Sequence, residues 1–233
     1  MKLHNAKVLI TGGSLGIGKA TAKVLVQSGA QVAITGRDSG RLGKAAAKTG
    51  AFTITADVSR PEEVARTYEE FLAKFNGLDC LINNAGIGSF KPMEDIEYED
   101  FAHVFRVNVF GAALMAARAA SIFKAQNGGN IVNIGSTAAE KGFERGTVYA
   151  ASKFALRGMT QCWQAELRRH NIRVFLIDPS EVATAFANPA HVEKEAPANK
   201  LSSYEIAYAI KAVLEMPSRG MIPELSVWAT NPW

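Results

Sequence analysis

The sequence predicts an α/β fold in which helices cover a mostly parallel sheet. Short apolar strands alternate with helical patterns along most of the chain, an order typical of sheets built from strand–helix–strand units. A glycine-rich turn joins the first strand to the first helix. At 233 residues the chain is long enough to bury a full core and fits one domain. We therefore expect a single domain over residues 1–233.

The first unit has the pattern of a dinucleotide-binding site. The strand Lys7–Ile10 leads into a turn, a helical pattern runs from about Gly18 to Ser28, and the strand Gln31–Thr35 follows. Glycines permit a tight turn and let the main chain approach a pyrophosphate, whose charge meets free N–H groups at the helix start. The turn residues expected to bind the cofactor are Gly12, Ser14, Leu15, Gly16, Ile17 and Gly18.

The same turn also matches the Gly-x-Ser-x-Gly pattern of a hydrolase nucleophile elbow, with Ser14 as the nucleophile. That interpretation requires a central strand before the serine, and an acid and a histidine after it. Only one strand precedes Ser14, and the four histidines stand in no obvious relation to it. The dinucleotide-binding interpretation is therefore preferred.

The end of the second strand favours NADP(H) over NAD(H). Gly36-Arg37-Asp38 follows the strand, where a carboxylate suits the adenosine ribose hydroxyls and an arginine suits a 2′-phosphate. Arg37 stands where an acid would select NAD(H). Asp38 is a competing signal, but we expect it to cap the next helix, roughly Ser39 to Lys48.

Two further strands end at candidate cofactor contacts. The strand Phe52–Ala56 ends at Asp57, and a helix follows from Pro61 to Phe75. The strand Asp79–Ile82 ends at consecutive asparagines, which are typical of a turn. They are equally expected beside a ligand, because open α/β sheets bind ligands at the carboxyl ends of their strands. The candidate contacts here are Asp57, Val58, Asn84, Ala85 and Gly86.

Tyr149 and Lys153 form a candidate catalytic pair. They stand four residues apart in a helical pattern and so share one helix face. A neighbouring ammonium favours the phenolate, which predicts a lowered Tyr149 pKa suited to acid–base catalysis near neutral pH. Ser136 closes the apolar run from Ile131. Its hydroxyl would polarise a substrate oxygen that the tyrosine protonates.

These motifs, in this order and at this spacing, resemble those of the short-chain dehydrogenase/reductase family. They are Thr11-Gly12-x-x-x-Gly16-x-Gly18, Asn83-Asn84-Ala85-Gly86, Ser136 and Tyr149-x-x-x-Lys153. The pattern is most similar to the 3-oxoacyl-acyl-carrier-protein reductase branch. The resemblance implies a Rossmann doubly wound sheet of seven strands in the order 3-2-1-4-5-6-7, with helices on both faces.

The resemblance also implies roles for other residues. Asn108 would kink its helix and hold a water in a proton relay to Lys153, which would also bind the nicotinamide ribose together with Tyr149. Val182 and Thr184 would lie by the nicotinamide carboxamide. Relatives usually carry glycine at the position of Ser180, so this chain departs from the family pattern there. Its main-chain conformation at Ser180 is expected to differ if the glycine of relatives has a positive φ.

The remaining elements predict a lid and an oligomer. A helix from Tyr98 to Gln126, interrupted near Asn108 and Gly111, has small residues on most sides in its second half. By resemblance this helix and the Tyr149–His170 helix pack against the same pair from another subunit, which predicts a homodimer or homotetramer. Residues 185–200 are polar and contain prolines, as expected of a substrate lid. A helix over Ser202–Glu215 and a strand over Ile222–Trp228 complete the chain.

Composition argues against several other classes of function. The net charge is only +4, and the basic residues are dispersed, so we expect no nucleic-acid partner. No apolar run is long enough to span a bilayer, and the early first strand leaves no room for a signal peptide, so a cytoplasmic protein is expected. Two cysteines give no disulfide framework or metal-ligand spacing.

The sequence thus predicts an NADP(H)-dependent oxidoreductase that transfers hydride between nicotinamide and a carbonyl or secondary alcohol, possibly a 3-oxoacyl thioester. A non-catalytic NADP(H)-binding redox sensor is the alternative. Phe90, Phe143 and Phe186 either line an apolar substrate pocket or simply pack the loops. An acidic acyl carrier would need a basic docking surface, for which Arg168 and Arg169 are the main candidates, so a general ketone or aldehyde reductase is an equal candidate.

Overall fold

Seven parallel strands form one sheet in the computed structural model, which describes residues 1–186, 192–193, 195–231 and 233. The sheet order is β3-β2-β1-β4-β5-β6-β7, as predicted, and it reverses between β1 and β4. A reversal of this kind opens a crevice at the carboxyl ends of the strands. The strands are β1 (Lys7–Ile10), β2 (Gln31–Gly36), β3 (Phe52–Thr55), β4 (Cys80–Asn83), β5 (Gly129–Ile134), β6 (Ile172–Pro179) and β7 (Glu224–Val227).

Helices cover both faces of the sheet, and each face has its own apolar cluster. The helices are α1 (Gly16–Gln27), α2 (Ser39–Thr49), α3 (Pro61–Phe75), α4 (Tyr98–Phe105), α5 (Ala112–Ala125), α6 (Thr147–Leu167) and α7 (Ser203–Glu215). Buried residues of α1, α2 and α7 pack on one face, and those of α3, α5 and α6 pack on the other. In β1, Val8 and Ile10 join the first cluster whereas Leu9 joins the second, because successive strand side chains point to opposite faces.

The starts of two helices follow the rules for helix N-termini. Asp38 caps α2 by accepting a hydrogen bond from the Arg41 N–H at 2.8 Å, as predicted. Pro61 begins α3 with two acidic residues in its first turn, where its fixed φ and their charges suit a helix N-terminus. The helix α1 begins at Gly16, two residues before the predicted start.

Several strands end earlier or begin later than predicted, by one or a few residues. The β5 strand stops at Ile134, so Ser136 lies beyond it and caps a 3₁₀ turn over Thr137–Ala139. The last strand begins at Glu224 because Pro223 has no N–H to give to the sheet. The Pro223 carbonyl still accepts a hydrogen bond from Leu176 N at 3.0 Å.

The predicted interruption near Asn108 is a π-helical turn over Arg106–Gly111 between α4 and α5. The continuous helical segment Tyr98–Ala125 is long and apolar enough to cross a membrane, judged by length and composition alone. The sequence-based expectation that no apolar run could span a bilayer is therefore wrong for this segment. Residues of this segment, including Met115 and Phe123, are nevertheless buried against the sheet. Such burial is typical of a core helix.

The segment predicted as a lid, residues 185–200, lies only partly within the described structure. Residues 187–191 and residue 194 fall outside it. Among the described part, Ala185 is buried and Phe186 is partly exposed over the cleft. The Val182–Leu201 bridge ties the two ends of the segment together.

Candidate active site

A cleft of about 1070 Å³ opens at the carboxyl ends of the strands and gathers almost all predicted site residues. Two predicted residues do not line it: Gly18 lies inside the α1 start, and Asn108 lies behind the wall. The predicted residues that line the cleft are Gly12, Ser14, Leu15, Gly16, Ile17, Arg37, Asp57, Val58, Asn84, Ala85, Gly86, Ser136, Tyr149, Lys153, Val182 and Thr184.

The glycine turn leaves its main chain open to a ligand. Gly12 has a φ of +65°, and a Cβ there would lie 2.8 Å from Ala85 Cα, so only glycine fits without strain. Gly18 packs so tightly that a Cβ would meet the Gly12 carbonyl at 2.5 Å. Leu15 supplies no side-chain cap to α1, and the first turn of α1 contains no acidic residue. The N–H groups at the start of α1 are thus suited to an anion.

A carboxylate of the chain already lies at this position. Glu193 accepts a hydrogen bond from Gly16 N at 2.7 Å and forms an ion pair with Lys19. The Glu193 pKa is lowered despite partial burial, because of the hydrogen bonds from Lys19 and from Gly16 N. The start of α1 therefore holds an anionic group, as a phosphate-binding turn would. Sequence reasoning missed this contact because Glu193 is remote in the chain.

A second arginine joins Arg37 at the far end of the cleft. Arg41 lines it from the first turn of α2, and its Nε lies 3.2 Å from Asp38 Oδ2. Asp38 also accepts from Arg41 N, and this hydrogen bond is the main cause of its lowered pKa. Asp38 is therefore occupied as a helix cap, while Arg37 is exposed at the cleft. Arg41 stands only four residues after Arg37, in the first turn of the predicted helix. This short spacing could have identified Arg41 as a second cofactor contact.

The consecutive asparagines brace the site rather than merely turning the chain. Asn84 donates to the carbonyls of Thr11 and Gly12 at 2.9 and 3.0 Å. The Thr11 hydroxyl in turn accepts from the N–H groups of Asn84 and Ala85. Asn83 is buried and donates to Asn133 Oδ1 at 3.0 Å. These bonds join the end of β4 to the glycine turn and so fix the cleft floor.

Ser136, Tyr149 and Lys153 converge on one wall of the cleft. The Tyr149 hydroxyl hydrogen-bonds with the Ser136 side chain. Lys153 is only 6% exposed, donates to the Ile134 carbonyl at 2.8 Å, and lies with its Nζ 5.7 Å from the centre of the Tyr149 ring. The end of β5 and the first turns of α6 therefore bring the three side chains together, as the sequence predicts.

The protonation behaviour of this group differs from the sequence expectation. Burial raises the Tyr149 pKa, the hydrogen bond with Ser136 opposes the rise, and the charge of Asp178 adds to it. Burial lowers the Lys153 pKa to about 8. The prediction that Lys153 lowers the Tyr149 pKa is therefore wrong, because the Tyr149 pKa is raised. Loss of solvation outweighs the neighbouring cation, whose ammonium points to the Ile134 carbonyl.

Asn108 supports the cleft from behind. Its Oδ1 accepts from Ile87 N at 2.9 Å, and its Nδ2 donates to the Ile87 carbonyl and to Ser152 Oγ. A Cβ on Gly86 would lie 3.4 Å from Asn108 Oδ1 and 3.8 Å from Lys153 Nζ. The missing side chain of Gly86 therefore leaves a gap between Asn108 and Lys153.

A family model described as short chain dehydrogenase matches residues 6–195. The chain belongs to the short-chain dehydrogenase family. The sepiapterin reductase of Chlorobaculum tepidum is 29% identical over 96% of this chain and 96% of that protein. The 3-oxoacyl-[acyl-carrier-protein] reductase of Homo sapiens is 30% identical, over 89% of this chain and 90% of that protein, which confirms the resemblance to reductases of that name.

Solved structures give the same result. An alcohol dehydrogenase from the archaeon Thermococcus sibiricus, complexed with 5-hydroxy-NADP, has a TM-score of 0.88 to this chain. It is 28% identical, and the match covers 97% of each chain. The family fold thus extends over nearly the whole chain, including the part that follows residue 195.

Aromatic rings lie on two sides of Tyr149 in this short-chain dehydrogenase. The ring centres of Phe90 and Phe186 lie 5.5 and 5.6 Å from that of Tyr149. Phe143 continues the wall, with its ring centre 6.1 Å from that of Phe90. All three phenylalanines line the cleft and remain partly exposed. The cleft wall beside Tyr149 is therefore apolar.

Proposed function

We propose that the chain is an NADP(H)-dependent oxidoreductase that reversibly transfers hydride between nicotinamide and a carbonyl or secondary alcohol. The convergence of Ser136, Tyr149 and Lys153 in the cleft that begins at the glycine turn is the observation that supports this best. A non-catalytic redox sensor would need the glycine turn but would not need that group.

In the direction of reduction, the hydride is the chemistry of the bound nicotinamide. Tyr149 then gives its phenolic proton to the substrate oxygen, while Ser136 donates a hydrogen bond to that oxygen as its charge grows. With a pKa of about 8, the Lys153 ammonium can return a proton to the tyrosine near neutral pH and become the amine. Positioned acid catalysis of this kind contributes ~10²–10⁴-fold.

Asn108 is proposed to support the proton supply. The gap at Gly86 between Asn108 and Lys153 is suited to a water that hydrogen-bonds with both. The side-chain NH₂ group of Asn108 already donates to Ile87 and Ser152. Asn108 can therefore bind a water only by accepting a hydrogen bond through its Oδ1. Lys153 would donate to such a water and be reprotonated through it.

The cofactor preference for NADP(H) is proposed from the arginines at the far end of the cleft. Arg37 and Arg41 offer guanidinium groups suited to a 2′-phosphate. Asp38 is engaged with Arg41 and caps α2, so it is not free to select an unphosphorylated ribose. A structural neighbour of this chain is complexed with an NADP derivative.

We propose an apolar ketone or aldehyde as substrate. Phe90, Phe143 and Phe186 form an apolar wall beside the Tyr149 ring, and such a wall favours apolar or aromatic substituents on the carbonyl carbon. A 3-oxoacyl thioester is the second candidate, because a relative carries that activity in its name. Its acyl chain would lie along the same wall.

A cytoplasmic homodimer or homotetramer is proposed. Phe110, at the π-helical turn, is 56% exposed, and Phe154 on α6 is 48% exposed. These rings lie on the helices predicted to pack on another subunit, and such packing would cover both. Sedimentation at micromolar concentration is expected to give two or four copies, whereas a monomer would contradict this assembly.

The function is tested by following NADPH absorbance across a panel of ketones, aldehydes and 3-oxoacyl thioesters, with NADH alongside. Consumption of NADPH with an apolar ketone supports the proposal, and the ratio of the two cofactors measures the preference. Tight NADPH binding without turnover on any carbonyl would instead favour the redox sensor. Ser136→Ala is the control: loss of NADPH consumption in this variant would show that turnover takes place at the proposed site.

A further inference from the structure

A buried carboxyl group lies directly beneath the catalytic serine. Asp178, near the end of β6, is fully buried, and its Oδ1 accepts a hydrogen bond from Ser136 N at 2.8 Å. A Cβ on Gly135 would lie 1.9 Å from that oxygen, so only glycine lets the carboxyl group come so close. The contact joins the loop after β5 to the end of β6, whose next residues line the cleft.

Charged side chains from three other parts of the fold face Asp178. The nearest carboxylate oxygens of Glu140, Asp178 and Glu224 all lie within 4.8 Å of one another. Arg157 on α6 pairs with Glu224 at 2.6 Å. Asp178 Oδ2 has no hydrogen-bond partner among the described residues. With burial as the largest cause, and with repulsion by Glu224 and Glu140, the Asp178 pKa rises to about 7.

The charge of Asp178 also reaches the catalytic pair. It contributes to the raised pKa of Tyr149, and it partly offsets the lowering of the Lys153 pKa by burial. Each effect has the sign that a nearby negative charge requires. Asp178 is therefore linked to the catalytic group in two ways: by a hydrogen bond to the Ser136 main chain and by its electric field.

We propose that Asp178 is a positioning residue for the reaction: its carboxyl group fixes the main chain of Ser136, and its charge, opposed by Glu140 and Glu224 and favoured by Arg157, biases the protonation of Tyr149 and Lys153. The inference rests on the proposed function for its kinetic consequences. Asp178 itself does not line the cleft, so it acts through the catalytic residues and contacts no substrate.

Two substitutions separate the hydrogen bond from the charge. Asp178→Asn keeps an oxygen acceptor for Ser136 N and removes the charge, whereas Asp178→Ala removes both. In Asp178→Ala we expect a kcat lower by ~10–100-fold, as for a slight displacement of a catalytic group, with the KM for NADPH nearly unchanged. In Asp178→Asn we expect most of kcat to be retained at pH 7.

The pH profile detects the charge. Without the negative charge of Asp178 the Tyr149 pKa falls, so Tyr149 loses its proton at lower pH. The alkaline limb of the kcat profile for carbonyl reduction is therefore expected to move to lower pH in Asp178→Asn. An unchanged profile would overturn the electrostatic part of the proposal.

Asp79 provides the matched control for a purely structural role. Asp79 Oδ2 likewise accepts from a main-chain group, Lys7 N at 2.7 Å, but at the start of β1, away from the cleft. Asp79→Ala is expected to lower the melting temperature and leave kcat and its pH profile unchanged. If Asp178→Ala behaves in the same way, Asp178 is only structural and the proposal is overturned.

Amide hydrogen exchange at Ser136 tests the positioning without any turnover. We expect exchange to be faster in Asp178→Ala than in the wild type and to remain slow in Asp178→Asn. Equal exchange in all three proteins would overturn the positioning role even in a fully active enzyme. Absence of turnover in the wild type would overturn the proposed function but leave the exchange result standing.

Discussion

Lys153 Nζ lies 5.7 Å from the centre of the Tyr149 ring, in a site so buried that the two pKa values shift in opposite directions. The Lys153 pKa falls to about 8 and the Tyr149 pKa rises, in both cases chiefly because burial disfavours the charged form. The pair as it stands keeps the phenol protonated at neutral pH, which suits an acid that donates to a carbonyl oxygen.

Lys153→Met is predicted to stabilise the fold while it removes activity. The Lys153 pKa is lower in the folded chain than its ordinary value of 10.5, so the unfolded chain binds more protons between pH 8 and 10.5. The stability of the wild type therefore rises across that window, and at pH 7 the buried ammonium is a net cost of roughly 3 kcal/mol.

The measurement is thermal unfolding of both proteins from pH 7 to pH 10. We expect Lys153→Met to melt several degrees higher at pH 7 and the gain to shrink as the pH rises. A variant that is less stable at pH 7 and shows no such trend would show that the Lys153 hydrogen bond to Ile134 outweighs the cost of burying the charge.

Arg37→Ala is predicted to weaken NADPH binding selectively. A guanidinium on a 2′-phosphate contributes a charge-assisted hydrogen bond, and its loss is expected to raise the NADPH Kd by ~10-fold or more. NADH has no 2′-phosphate and should bind nearly as before. Fluorescence titration with the two cofactors measures this ratio, and an equal loss for both would place Arg37 outside the phosphate site.

Glu193→Gln is predicted to tighten NADPH binding. The Glu193 carboxylate bonds Gly16 N and pairs with Lys19 at the start of α1, where a cofactor phosphate is proposed to bind. Removing its charge should weaken that competition and lower the NADPH Kd several-fold, on the order of 1 kcal/mol for a helix-terminus anion. Glu195→Gln, an exposed neighbour on the same segment, is the matched control and should leave the Kd unchanged.

Phe186→Ala is predicted to impair apolar substrates and to change the pH profile. The Phe186 ring lies 5.6 Å from that of Tyr149, so its loss removes apolar contact area and admits water. We expect kcat/KM for an aryl ketone to fall by ~10-fold. Hydration of the phenol should also lower the Tyr149 pKa and move the alkaline limb to lower pH. Phe52→Ala, on β3 away from the cleft, should do neither.

The sheet order was predicted through the resemblance to the short-chain dehydrogenase/reductase family, whereas the group Ser136, Tyr149 and Lys153 was predicted from local patterns. The glycine turn requires residues without a Cβ, and a helix places positions 149 and 153 on one face. The structure brings these elements together at the carboxyl edge of the sheet, as the order of strands and helices predicts.

Contacts between residues far apart in the chain could not be predicted from the sequence. Glu193 meets Gly16 across 177 positions, and Asp178 meets Ser136 across 42. No periodicity or spacing encodes such pairs, which depend on how loops pack over the sheet. The Tyr149 pKa was wrongly predicted for a related reason: charge can be read from the sequence, whereas loss of solvation depends on the packed rings of Phe90 and Phe186.

The most direct measurement is a single-turnover reaction of Tyr149→Phe with NADPH and an apolar ketone that the wild type reduces. We predict that the variant binds NADPH with nearly wild-type affinity, because the ring remains, and that NADPH oxidation slows by ~10²–10⁴-fold. Oxidation at the wild-type rate would show that Tyr149 is not the proton donor, and would contradict the account of this site.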